Sequence, residues 1–119
     1  MPLPSESTTP DRRIALRHHY YGRIAVRLAS GHAFIAQGID IAIGGIAFHC
    51  DENLARDTRC DLHFSLAFQN GPSRTCTLSG IVMYTSLDGS TASFKVAVRF
   101  EGHSALARDL LAKYVSQRG

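Results

Sequence analysis

The stretch Phe94-Lys95-Val96-Ala97-Val98-Arg99-Phe100 alternates without a break: Phe94, Val96, Val98 and Phe100 are bulky and apolar, while Lys95, Ala97 and Arg99 are not. Successive side chains of a β-strand point to opposite faces, so this period predicts a strand packed on one side and wet on the other. Upstream the same period recurs. Ile24, Val26 and Leu28 alternate with Arg23, Ala25 and Arg27, and Leu62, Phe64, Leu66 and Phe68 alternate with His63, Ser65 and Ala67. Arg74 to Thr85 reads as a long strand with Cys76, Leu78, Val82 and Tyr84 on its inner face and Gly80 as a bend or bulge. Ala33 to Ala42 and Ile46 to Cys50 make two more strands, parted by a corner at Gly44-Gly45. Asn70-Gly71-Pro72 and Asp88-Gly89 supply turn and hairpin chemistry.

After Gly102 the period changes. Leu106, Ala107, Leu110, Leu111, Tyr114 and Val115 are spaced for one face of a helix over about residues 103–117, with Ser104 as its N-cap. Six short antiparallel strands leave edges that need protection, and closing them into a barrel flanked by the helix provides it. The expected fold is therefore all-β with a C-terminal helix: a six-stranded antiparallel β-barrel plus one amphipathic α-helix.

The composition fits one compact domain, since 45% of the 119 residues are hydrophobic and 19% charged. Residues 1–11 (MPLPSESTTPD) hold only Leu3 as a bulky apolar side chain and predict a flexible N-terminal tail, with the single domain spanning 12–119. No apolar run approaches the roughly 20 residues of a membrane span, and the first ten residues lack the pattern of a secretory signal. Cys50, Cys60 and Cys76 stand at long spacings with no CxxC pair, which fits reduced thiols. The expectation is a cytoplasmic protein without membrane insertion.

The net charge of +3 is unevenly placed: Arg12, Arg13, Arg17, Arg23 and Arg27 lie in a stretch from Arg12 to Ile39 that holds no carboxylate. Eleven of the thirteen basic residues are arginine, whose planar fork of donors suits phosphate or a guanine edge better than a lysine point charge does. The charge pattern points to an anionic partner, or else to a solvated basic face that favours solubility.

Arg13-Ile-Ala-Leu-Arg17 ahead of the first strand, Asp40-Ile-Ala-Ile-Gly-Gly45 at the end of the second, and the later segments GIAF, IVMY and FKVAVRF together resemble a PilZ domain over about Asp11 to Tyr114. That family carries the motifs RxxxR and (D/N)xSxxG on a six-stranded split barrel and binds the bacterial second messenger cyclic di-GMP. The resemblance implies ligand-binding roles for Arg13, Arg17, Asp40, Ala42 and Gly45, with Ala42 standing where the family has serine. RxxxR occurs a second time, at Arg23 and Arg27, inside the first strand rather than before it.

The matched residue types suit such a ligand. Arginine can present two donors to guanine O6 and N7, or grip a phosphate. A carboxylate accepts from guanine N1–H and the N2 amino group, and glycine permits close backbone approach or a positive φ. A missing serine hydroxyl removes one hydrogen bond, worth roughly 0.5–1.5 kcal/mol. The resemblance thus implies a cyclic di-GMP receptor or adaptor that signals through a protein effector, in motility, pilus or biofilm control. The alternative is a PilZ-like protein-interaction adaptor that has lost the nucleotide.

Other chemistries have less support. His49, Cys50, Cys60 and His63 superficially match a zinc set, but alternation turns Cys60 inward and His63 outward, and likewise parts His49 from Cys50. No metal or other cofactor is expected. No GxSxG, HExxH, P-loop or GxGxxG is present, which argues against an enzyme. The absence of tryptophan and of an aromatic series on a basic strand argues against single-stranded nucleic acid as the partner. His18-His19-Tyr20-Tyr21 can stack on a guanine or line the barrel's mouth.

Overall fold

The computed structural model describes residues 17–102 and 104–117. The segment read as a tail and Arg13 lie outside the described residues. Seven strands pair in one antiparallel sheet: β1 (His18–His19), β2 (Arg23–Leu28), β3 (Ala33–Ala42), β4 (Gly45–Cys50), β5 (Arg59–Leu66), β6 (Arg74–Asp88) and β7 (Ser93–Glu101). A helix, α1 (Ala105–Ser116), follows them. Six strands close into the expected barrel, because β3, β2, β5, β6, β7 and β4 succeed one another and β4 pairs back onto β3. β1 is a two-residue addition at the far end of β3, with His18 opposite Ile41 and His19 opposite Asp40.

The inward set of each strand makes the core. β5 shows the cause most plainly: Cys60, Leu62, Phe64 and Leu66 are buried and the residues between them exposed. Ile24, Phe48, Leu62 and Leu66 are completely enclosed, and burying such a side chain contributes about 1.5–3 kcal/mol. Gly80 sits between these layers because a Cβ there would collide with the Val98 side chain and approach the Arg99 carbonyl oxygen to 2.9 Å.

The helix begins where its N-cap predicts, with the Ser104 hydroxyl accepting from the Ala107 amide at 3.2 Å. Leu111, Tyr114 and Val115 enter the core, and α1 rests against β1 and β3. Tyr20, between β1 and β2, is buried beside Tyr114 and donates from its hydroxyl to the Ser65 carbonyl at 2.7 Å. Burial pushes the Tyr20 phenol up to about 12, and neighbouring Tyr114 adds to the rise.

Several details differ from the sequence reading: β5 spans Arg59 to Leu66, so Phe68, read as its last inward residue, lies beyond the strand. The bulge of β6 falls between Val82 and Tyr84 rather than at Gly80. The extra residue, Met83, reverses the alternation, so Tyr84 faces outward and is 51% exposed instead of lying on the inner face. Leu106 is exposed as well, although it shares the apolar spacing of the helix. At 100° per residue it stands about 140° round the helix from Leu111, the centre of the buried face.

Candidate functional site

Asp40 and Ala42 occupy alternate positions at the end of β3, with Ile41 between them completely buried in the core. Asp40 and Ala42 therefore belong to the barrel's outer face. Ile43 and Gly44 turn the chain into β4, pairing Ala42 with Gly45, Ile41 with Ile46 and Asp40 with Ala47. A Cβ on Gly45 would collide with the carbonyl oxygen of Val98, so glycine is required here for close packing against β7.

Register extends this face sideways. Ala47 is opposite Ala97 and Gly45 opposite Arg99, and across the next pairing Ala97 meets Tyr84. Ala42, Gly45, Ala47 and Ala97 thus form a floor of small residues on the outside of β3, β4 and β7. Ala42 and Ala47 are buried yet stand outside the core cluster. Asp40 and its β1 neighbour His19 flank one side of the floor, and Tyr84 and Arg99 the other. His19 is stacked on the exposed ring of Tyr21, with centroids 5.7 Å apart and planes 10° from parallel.

Arg17 completes the arrangement. Its Nη1 donates to Asp40 Oδ1 at 2.6 Å, and its side chain remains 65% exposed. An ion pair so open to water is worth about 0–1 kcal/mol, so an anionic ligand can replace the carboxylate at small cost. Arg99 is held more loosely, with Nη2 3.7 Å from Glu101 Oε2, while Glu101 accepts a 2.8 Å bond from Arg59 through its other oxygen. The face thus carries two accessible guanidinium groups, the carboxylates of Asp40 and Glu101, and aromatic rings around a patch of small residues in which Ala42 and Ala47 are buried.

Of the residues singled out in the sequence, Arg17 and Asp40 are in contact, and Ala42 and Gly45 adjoin them across one hairpin. Arg13 lies outside the described residues. The second RxxxR pair serves a different surface: Arg23 pairs with Gln37 and Arg27 with Ala33, so Arg27 lies opposite a point seven residues along β3 from Asp40. Arg99 and Tyr84 were not legible as site residues. Their nearness to Gly45 and Ala97 depends on pairings between distant segments and on the Met83 bulge.

The four residues of the superficial zinc set do not converge. His49 Nε2 is 3.1 Å from Asp88 Oδ2, Cys50 Sγ donates to the Glu52 carbonyl, and His63 Nδ1 is 2.8 Å from Thr77 Oγ1. Cys60 Sγ points to the Gly80 carbonyl. Burial pushes the Cys60 thiol up to about 11, with the charge of Asp61 adding to it, and raises the thiols of Cys50 and Cys76 too. These thiols stay protonated near neutrality and are poor nucleophiles.

The PilZ domain family model matches residues 11–117. Among solved structures, the chain superposes on Inhibitor of motility (MotI/DgrA) of Bacillus subtilis with a TM-score of 0.76 and 17% identity, covering 89% of this chain and 50% of that one. The PilZ domain of YcgR from Escherichia coli, solved with c-di-GMP, gives a TM-score of 0.67 and 16% identity, with 88% and 89% covered. The c-di-GMP complex of MrkH from K. pneumonia gives 0.66 and 14%, with 87% and 51% covered. The chain spans about half the length of the MotI/DgrA and MrkH chains, and at these identities the likeness is one of fold. Among curated proteins none matches the chain.

Proposed function

The chain belongs to the PilZ domain family, and from that premise we propose that it is a receptor for cyclic di-GMP that signals through a protein effector. The observation that carries the reading is the Arg17–Asp40 ion pair beside the small-residue floor. A cyclic dinucleotide brings two guanines and two phosphates, and the face answers each part. Arg17 can release Asp40 and grip a phosphate or the O6/N7 edge of a guanine, where a bidentate contact is worth about 1–3 kcal/mol of discrimination. Asp40, once freed, can accept from N1–H and the N2 amino group. Because adenine cannot supply that pair of donors, the carboxylate selects guanine.

The remaining surface supports the same ligand. The patch of Ala42, Gly45, Ala47 and Ala97 carries no long side chain, and Arg99 offers a second cation at its far side. Tyr84 on one flank and the His19–Tyr21 stack on the other provide ring faces, each worth about 1–3 kcal/mol when a base stacks on it. These groups are part of the proposal alongside Arg13, Arg17, Asp40, Ala42 and Gly45.

One observation favours a second reading. Ala42 replaces the motif serine and is only 6% exposed, so the hairpin supplies no hydroxyl donor at this point. In that reading the chain is a protein-interaction adaptor that has kept the barrel without the nucleotide. Calorimetric titration with cyclic di-GMP separates the two, since only the receptor gives a saturable heat that Arg17→Ala diminishes.

A further inference from the structure

The outer face of β2 carries a second feature. Arg23, Ala25 and Arg27 share this face, so the two arginines begin about 13 Å apart with a short side chain between them. Ala25 is opposite Ile35 on β3 and His63 on β5. Around it runs a cleft of about 680 Å³, lined among others by Arg27, Ala33 and Asp61. Through Ala25, Ile35 and His63 it continues into a second hollow of about 530 Å³ that reaches Arg23 and Tyr21.

The trough is apolar at its centre, and its two arginines, Arg23 and Arg27, outnumber the single carboxylate of Asp61 in its lining. Ile35 is 62% exposed at its centre and Tyr21 is exposed at one end. Among the described residues neither Arg23 nor Arg27 has an ion-pair partner. Asp61, opposite Arg27, already accepts the Ser79 hydroxyl at 2.9 Å. Both edges of β2 are paired, with β3 and with β5, so an occupant cannot join the sheet as a strand and must bind through side chains.

We propose that this face docks an acidic segment of a partner protein. An extended segment presents every second side chain to the sheet, so the sequence carboxylate–x–apolar–x–carboxylate spans the same 13 Å as Arg23 and Arg27. The central apolar side chain then sits over Ala25 between Ile35 and His63, and each carboxylate meets one guanidinium. Ala25 and Ile35 at the centre offer an aliphatic seat for that side chain, and the oligonucleotide arm of the test covers a stacked base as the rival occupant. This surface shares Tyr21 with the face around Arg17 and Asp40 but uses different arginines, and docking here does not require that face to bind a nucleotide.

The test is a titration of the isotope-labelled chain, followed by amide NMR at low salt, with the capped peptide Ser-Asp-Ala-Leu-Ala-Asp-Ser. Saturable shifts at Ala25, Arg27, Ile35 and His63 are expected. Combining Arg23→Glu with Arg27→Glu weakens binding roughly tenfold or more, and serine in place of the peptide's leucine weakens it several-fold. Arg23→Gln with Arg27→Gln, which avoids placing new carboxylates on the face, gives a smaller loss in the same direction. Shifts that are absent from these residues or unaffected by either double variant overturn the proposal. So does a decathymidine oligonucleotide that moves the same residues at lower concentration than the peptide.

Discussion

Arg17 and Asp40, twenty-three residues apart in sequence, are joined by a 2.6 Å charge-assisted hydrogen bond on the outside of the barrel. The pair brings a cation from just before β1 to the hairpin end of β3. In the proposed reading, cyclic di-GMP would exchange this exposed ion pair for contacts to guanine and phosphate.

Arg17→Ala is expected to weaken cyclic di-GMP binding by about ten- to hundredfold, since a hydrogen bond to a charged group contributes about 1.5–3 kcal/mol. Its melting temperature stays close to the parent's, because the side chain lies outside the core and an exposed ion pair adds little. Asp40→Asn does less harm, as the amide keeps one acceptor. Calorimetry and thermal unfolding on the three proteins check both halves; unchanged affinity in Arg17→Ala contradicts the assignment.

Ala42→Ser restores the hydroxyl that the family motif carries. One added hydrogen bond tightens cyclic di-GMP binding roughly two- to twelvefold. An adaptor without a nucleotide site gains nothing from this change, because a hydroxyl cannot replace the charged grip of Arg17. Parallel titrations of the two proteins decide the matter.

Neutralising two phosphates gives a salt dependence, but one shallower than that of a nucleic-acid binder with about 6–10 phosphate contacts. Affinities measured across a range of sodium chloride concentrations give the slope. A steep slope with equal affinity for any single-stranded oligonucleotide contradicts the dinucleotide reading.

Burial raises the Cys60 thiol to about 11 and the Tyr20 phenol to about 12, from ordinary values of 9.0 and 10.0. Both groups are neutral when protonated, and the unfolded chain gives up these protons first. Their contribution to stability is complete below about pH 9 and is lost as pH rises through the folded values. The melting temperature is therefore expected to fall between about pH 9 and 12, and Cys60→Ala to flatten the part below about 11. An identical fall in the variant contradicts the assignment to Cys60.

The helix provides a packing test. Leu111→Ala empties a fully buried position and costs about 2–5 kcal/mol, whereas exposed Leu106→Ala stays within about 0.5 kcal/mol of the parent. Urea denaturation distinguishes them, and equal losses would place Leu106 in the core.

What the sequence revealed depended on whether a signal was local. Alternation in residues 94–100 and 62–68 foretold strands and their inward sets, apart from Phe68 beyond the strand's end, because the two-residue period reflects only which side of the strand is buried. The Asp40–Gly45 hairpin was legible for the same reason: a polar and a small residue flank buried Ile41, and glycines follow. Tyr84 was misread because Met83 can belong to either face, and only its pairing with β7 exposes the bulge. Arg99 showed itself as an exposed strand residue but not as a neighbour of Gly45, since that contact spans 54 positions and is fixed by closure of the barrel. Leu106 shares the apolar spacing of its helix without lying on the face that reaches the core.

The most direct test of the receptor reading is calorimetric titration of cyclic di-GMP into the parent chain, with Arg17→Ala and Ala42→Ser beside it. Saturable binding by the parent, at least tenfold weaker in Arg17→Ala and several-fold tighter in Ala42→Ser, is the predicted result. Absence of binding heat from both the parent and Ala42→Ser at millimolar ligand would contradict it and leave the barrel an adaptor that works through protein contacts alone.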